Sequence, residues 1–230
     1  MEWKDKKVLV FGTGLSGIGA AGLLERVGAC PLLYDGNEKV KEEQVRAKLP
    51  EGSRARIFIG KMDSRVLEGI TLAVLSPGVP TDLPEVEQIR EAGIPIWGEV
   101  ELAYENSRGD VLAITGTNGK TTTTALVGEI MKHHQEHVFV VGNIGSPYTD
   151  AALDTTDDSV AVAEISSFQL ETVVRFHPRV RDPAGKGDLL QLPAGTGAGN
   201  LSEGRPDPVP GRKRDPGRMP CGGAEPFRQT

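Results

Sequence analysis

A short apolar run, Val111 to Ile114, leads straight into Thr115-Gly116-Thr117-Asn118-Gly119-Lys120-Thr121-Thr122-Thr123, and few folds accept that order of residues. The run reads as a buried strand. The glycines let backbone N–H groups close around an anion, and the threonines open a helix whose positive end faces it. Lys120 is placed to reach outer phosphates, and Thr121 to offer a hydroxyl to magnesium. Ile114 stands where the usual phosphate-loop pattern has its first glycine, so the loop is a shortened variant.

A second strand–glycine–helix unit lies near the start of the chain. Val8-Leu9-Val10-Phe11 reads as a buried strand, and Gly12-Thr13-Gly14-Leu15-Ser16-Gly17 opens a helix running from about Gly17 to Val27. The turn fits G-x-G-x-x-G, and Asp35 closes the next strand, Leu32 to Tyr34, 23 residues after Gly12. Such a turn supplies a diphosphate cradle plus a carboxylate for a sugar or base edge. A dinucleotide satisfies it, and a UDP-sugar satisfies it equally well.

Apolar runs and helical patterns alternate through residue 178, which predicts an α/β protein with open parallel sheets. In the first unit, Lys41 to Leu49 reads as a surface helix, Ile57 to Ile59 and Leu72 to Leu75 as strands, Pro84 to Ala92 as a helix and Ile94 to Trp97 as a strand. From about Gly98 a second unit begins, with helices at Glu99 to Glu105, Lys120 to His134 and Phe168 to Arg175. Its strands are Val111 to Thr115, Val138 to Val141 and Val160 to Ile165. Leu126, Ile130 and Met131 are expected on the buried face of the helix after the phosphate loop.

Three further stretches bear on chemistry. Ser76-Pro77-Gly78 follows a strand at the ligand edge of the first sheet, where a plain turn and a ligand contact fit equally. Gly142-Asn143-Ile144-Gly145 places an amide after another strand. Glu164-Ile165-Ser166-Ser167-Phe168-Gln169-Leu170-Glu171 sets a carboxylate at the end of a buried run, which calls for a cation shared with the phosphate loop. Ser166 and Ser167 fit a helix N-cap as well as a ligand contact. His133, His134 and His137 suit a helix C-terminus better than a metal. The formal charge of −6 argues against a general nucleic-acid binder. No apolar run reaches the roughly 18 residues of a membrane span, and the first residues carry no signal-peptide stretch, so a soluble cytoplasmic protein is expected.

Together these motifs resemble the Mur ligases, amide-forming enzymes of peptidoglycan precursor synthesis, and within them the branch that adds D-glutamate to UDP-N-acetylmuramoyl-L-alanine. The resemblance is carried by Gly12 to Gly17, by the loop at 115–123 and by Glu164 to Glu171, and runs from about Lys7 to Val180. It implies a Rossmann-like parallel-sheet N-terminal domain over 1–97 that binds the UDP-substrate, and an incomplete P-loop-type α/β ATPase domain over 98–178. On that resemblance, Leu15, Ser16, Asp35, Gly36, Asn37, Ser76, Gly78, Asn143, Ser166 and Gln169 contact substrate. Gly116, Thr117, Asn118, Gly119, Lys120, Thr121 and Thr122 hold ATP. Thr121 and Glu164 hold Mg2+, and Lys120 and Glu164 are the catalytic pair. The implied partners are the two small-molecule substrates, with no nucleic acid, no membrane and a monomeric state. A nicotinamide-dependent oxidoreductase explains the first turn but not the second. A non-catalytic nucleotide-binding module is the other competing reading.

The last 52 residues differ. Residues 1–178 hold 17 Lys+Arg and 26 Asp+Glu, whereas residues 179–230 hold 9 and 6, with 10 Gly, 8 Pro, no Ile and one aromatic, Phe227. Such a segment buries too little apolar area to offset its own chain entropy, and disorder is expected. Its Gly/Pro/Ala/Arg bias is what an out-of-frame reading of GC-rich DNA yields, so a frameshift near codon 180 and an inactive, shortened ligase are expected. Without later strands, a strand such as Val160 to Ile165 is expected to expose an edge or a face.

Overall fold

The computed structural model describes residues 2–178, together with Val180–Arg181 and Gly187–Asp188. The first unit is a five-stranded parallel sheet built from β1 (Lys7–Phe11), β2 (Cys30–Asp35), β3 (Arg56–Ile59), β4 (Ile70–Leu75) and β5 (Ile96–Gly98), in the order β3-β2-β1-β4-β5. Its helices are α1 (Leu15–Arg26), α2 (Glu42–Arg46), α3 (Ser64–Leu67) and α4 (Pro84–Glu91). The sequence signals for α2 run longer than the helix, and α3 carries none beyond its Asp63 cap, whose side chain accepts from the Arg65 N–H.

Strand periodicity sorts β1 onto two faces. Val8 and Val10 join one cluster with Ala20, Ala21 and Leu24 of α1, while Leu9 and Phe11 join another with Val86 and Ile89 of α4. The sheet is therefore covered on both sides, as an all-parallel sheet requires. The strand order reverses between β2 and β4 on either side of β1, so the turn after β1 sits at the topological switch point where such sheets bind ligands.

The second unit contains α5 (Glu99–Asn106), β6 (Asp110–Ile114), α6 (Lys120–Lys132), β7 (Val138–Gly142), α7 (Tyr148–Ala151), β8 (Val160–Glu164) and α8 (Ser167–Leu170). Its sheet is parallel with the order β6-β8-β7. The expected exposure of β8 is not found: β8 is the middle strand and buried along its whole length, and β6 and β7 are the partly exposed edges. The crossover through α6 carries β7 one position past β6, and β8, reached through α7, fills the place between them.

Two other expectations are corrected. Leu126 and Ile130 face outward, 59% and 48% exposed, while Thr124 and Gly128 are the α6 residues turned to the sheet. The close approach is the reason: a Cβ on Gly128 would lie 2.6 Å from Val140 Cγ2, so the helix sits too near the sheet for a leucine on that side. The helix expected from Phe168 to Arg175 stops at Leu170. Beyond it the backbone N–H groups of Val174, Arg175 and Phe176 donate to the Glu101 carboxylate at 2.8–2.9 Å, which replaces helical bonding.

Most of the segment expected to be disordered lies outside the described residues; its four described residues, Val180–Arg181 and Gly187–Asp188, form a short antiparallel pair (β9 and β10). Among the described residues no helix is long and apolar enough to cross a membrane.

Candidate functional site

The first anion cradle is fixed by contacts that only glycine permits. Gly12 has φ +111°, and a Cβ there would meet Ser76 Oγ at 2.6 Å; a Cβ on Gly17 would lie 1.9 Å from the Gly12 carbonyl oxygen. These approaches seat α1 directly on the end of β1. Gly14 is different, because nothing lies within 4 Å of a Cβ built on it. It caps α1 with no side-chain hydrogen bond, leaving the first N–H groups of the helix to a ligand. Leu15 follows, 81% exposed at the mouth.

Asp35, at the end of β2, is already bound within the protein. Its Oδ2 accepts from the Thr13 hydroxyl at 2.6 Å and its Oδ1 from the Asn37 backbone N–H at 3.0 Å. The carboxylate therefore ties the glycine turn to the loop after β2, a supporting role that the motif alone did not reveal.

A cleft of about 750 Å³ runs over this edge of the sheet. Leu15, Ser16, Asp35, Gly36, Asn37, Ser76 and Gly78 line it, and so does Asn143 from the second unit. These are eight of the ten residues expected to contact substrate, brought to one opening. Asn143 reaches it because its N–H donates to the Glu164 carbonyl at 3.1 Å, which holds the loop after β7 against the end of β8.

The other two expected substrate residues stand apart from that opening. Ser166 caps α8 and forms a capping box with Gln169, the Gln169 N–H donating to Ser166 Oγ at 3.3 Å and the Ser166 N–H to Gln169 Oε1 at 2.8 Å. Gln169 is buried, and its Nε2 donates to Glu99 Oε1 at 2.9 Å. Gln169, Ser76 and Gly78 border a smaller pocket of about 220 Å³ between the two units.

Glu99 is a site residue that the sequence reading passed over. It is the first residue of α5, where a carboxylate looks like an ordinary helix-dipole partner on the surface, yet it is only 2% exposed. Burial pushes its carboxyl above the usual range; the Ser16 hydroxyl and the Gln169 amide pull against that rise, and the Asp150 charge adds to it. Glu99 thus stands between the first cradle and the α8 cap.

The second cradle is open. Gly116 (φ +144°) and Gly119 (φ +77°) take conformations that L side chains rarely adopt, and residues 115–119 are exposed. Lys120 Nζ donates to the Gly116 carbonyl at 2.7 Å, so the cation lies over its own loop. Thr117 and Asn118 sit on the loop, and Thr121 and Thr122 are exposed in the first turn of α6. Register pairs Glu164 with Ile114, the residue that feeds this loop. Glu164 is 4% exposed, and its Oε2 is buried without a hydrogen-bond partner. An orphaned carboxylate oxygen beside a phosphate loop fits a magnesium ion, a hard cation that takes oxygen donors. The histidines at the end of α6 gather no metal-holding set among the described residues; His137 Nε2 lies 3.9 Å from Asp158 Oδ2.

Comparison with known proteins adds the following. The chain matches the family described as Mur ligase MurD-like, N-terminal domain over residues 6–98, and the Mur ligase middle domain over residues 114–180. It is 58% identical over 180 residues to the UDP-N-acetylmuramoylalanine–D-glutamate ligase of Lachnospira eligens, covering 78% of this chain and 40% of that protein. The like-named protein of Lachnoclostridium phytofermentans is 54% identical with the same coverage. The chain therefore spans about 40% of the length of the curated relatives it matches. Among solved structures, a murein peptide ligase of Psychrobacter arcticus 273-4 aligns with a TM-score of 0.47 at 20% identity, over 75% of this chain and 41% of that one.

Proposed function

The chain belongs to the Mur ligase family through residues 6–98 and 114–180, and we propose that it carries the UDP-substrate and ATP sites of a cytoplasmic, monomeric ligase that joins D-glutamate to UDP-N-acetylmuramoyl-L-alanine. Residues 1–97 form the UDP-substrate domain in this reading, and residues 98–178 part of the ATP domain. The observation that carries it is the shared cleft, in which Asn143 of the second unit meets Leu15, Ser16 and Asp35 to Asn37 of the first.

The diphosphate seats on the Gly12–Gly17 turn, and the N–H groups at the start of α1 offset its charge. Ser76 and Gly78 wall the far side, and the substrate's acyl end passes Asn143 toward the second cradle. There Lys120 releases its own loop carbonyls and binds ATP phosphates, joined by the loop amides from Gly116 to Thr122. Thr121 and Glu164 would hold magnesium, which when bound neutralises charge on the transferring phosphoryl group. The substrate carboxylate attacks the γ-phosphorus and ADP leaves, giving an acyl phosphate. The D-glutamate amine then attacks the acyl carbon, phosphate leaves, and the amine loses a proton. Such chemistry depends on placement and charge neutralisation, which a lysine at a helix start and a ring of backbone amides supply.

The test is calorimetric titration of the full chain with UDP-N-acetylmuramoyl-L-alanine, ATP–magnesium and NADH, for the wild type and Lys120→Ala. The substrate nucleotide should bind both forms equally, and ATP should weaken at least about tenfold in the variant. ATP binding untouched by the substitution, or NADH binding in place of the UDP-sugar, would reject the reading.

A further inference from the structure

We propose that Glu85 selects the base of the bound nucleotide, its carboxylate accepting the ring N–H of uracil at the Asp35–Asn37 end of the large cleft. The proposal deepens the reading above and rests on it. A diphosphate on the Gly12–Gly17 turn sends its ribose and base toward the end of β2. The acceptors there are mostly spoken for. Asp35 holds Thr13 and Asn37 with its two oxygens, and Asn37 Oδ1 accepts from the Lys39 N–H at 3.1 Å.

Glu85 is the exception. It lies in the first turn of α4 and lines the cleft, and its side chain makes no hydrogen bond or ion pair with any described residue. Its Oε1 comes within 3.8 Å of the point where a side chain on Gly36 would begin, and the Tyr34 hydroxyl lies 3.3 Å from that same point. Gly36 therefore keeps open a slot between the β2 loop and the start of α4. The Glu85 charge is felt inside the fold: the Tyr34 hydroxyl is pushed up to about 12, by burial first and by Glu85 second.

A carboxylate in a cleft that takes an anionic ligand is repulsive unless the ligand offers it a donor. Uracil does, with an N–H between two carbonyls. Cytosine has a lone pair at that ring position, which would face the carboxylate. An acceptor that the bound ligand covers and leaves without a donor is what gives polar sites their selectivity. Leu83, Val79 and Pro80 line the same opening and supply apolar surface for the flat ring.

The experiment is calorimetric titration of the full chain, without magnesium, with UDP, CDP and GDP, for the wild type, Glu85→Gln and Glu85→Ala, each first shown by thermal melting to be folded. The wild type should prefer UDP to CDP by at least about tenfold. Glu85→Ala should weaken UDP about threefold, strengthen CDP by about as much through loss of the repulsion, and so erase the preference. Glu85→Gln, able to donate or accept, should level the two. Variants that keep the wild-type UDP-to-CDP ratio overturn the role of Glu85 and leave the UDP site standing. A wild type that prefers GDP overturns the choice of uracil, and one that binds none of the three overturns both the site and the proposal.

Discussion

The two anion cradles share one plan and differ in what surrounds them. In the first, two of the three glycines are demanded by neighbours: a side chain on Gly12 would strike Ser76, and one on Gly17 would strike the Gly12 carbonyl. In the second, Gly119 has no atom within 4 Å of a built Cβ, and its need for glycine comes from φ alone. The first turn is thus held in shape by packing before any ligand arrives. The second is held mainly by Lys120 lying across its own carbonyls, and it must exchange those bonds for phosphate. One sequence pattern, glycines before a helix, has two different physical causes in the same molecule.

Substitution separates the two causes. Gly17→Ala should cost the most, about 3 kcal/mol in urea denaturation, because backbone rather than a flexible side-chain tip is in the way. A loss below about 1 kcal/mol would mean that the first turn is not packing-locked. Gly119→Ala should cost only the strain of a left-handed alanine, about 1 kcal/mol, and matching losses at the two sites would end the contrast.

A smaller effect should come from Glu99, which lies between the first cradle and the α8 cap. Its raised carboxyl means that the folded chain binds this proton more tightly than the unfolded chain does. Its contribution is therefore complete below the ordinary glutamate value of 4.5 and is lost as pH climbs through the raised value. Glu99→Gln should accordingly gain stability relative to the wild type between pH 4 and pH 8, read from denaturation midpoints at each pH. A gap that stays constant across that range would show that Glu99 does not titrate in the fold. Smallest of all, Leu126→Ser and Ile130→Ser should each change stability by less than about 0.5 kcal/mol, since both side chains face outward. A cost like that of a core leucine, about 2 kcal/mol or more, would place them in a packed face after all.

Much of this arrangement was legible in the residues. β-branched runs ending in glycine turns marked β1 and β6 and both cradles, because strand burial and positive φ leave direct traces in composition. What escaped depended on contacts distant in sequence. Glu99 and Glu101 look like surface acids at a helix start, yet both are buried, one against Gln169 and the other against three backbone N–H groups. The outward face of α6 misled because apolar periodicity assumes that the larger side chains point inward, whereas Gly128 brings this helix too close to β7 for that. The position of β8 between β6 and β7 followed from crossover topology, which no local pattern encodes.

The apolar interior does not respect the join between the two units. Trp3, Val8 and Leu24 belong to the same cluster as Val111, Tyr148 and Ala163, and a Cβ on Gly19 of α1 would meet Thr149 and Asp150. Severing the chain after Trp97 to make a tidy single-domain sample would strip α1 of its lid and leave a greasy scar on each half. A soluble nucleotide-binding reagent is better cut beyond β8, so that α5, α7 and the middle strand of the second sheet stay in place.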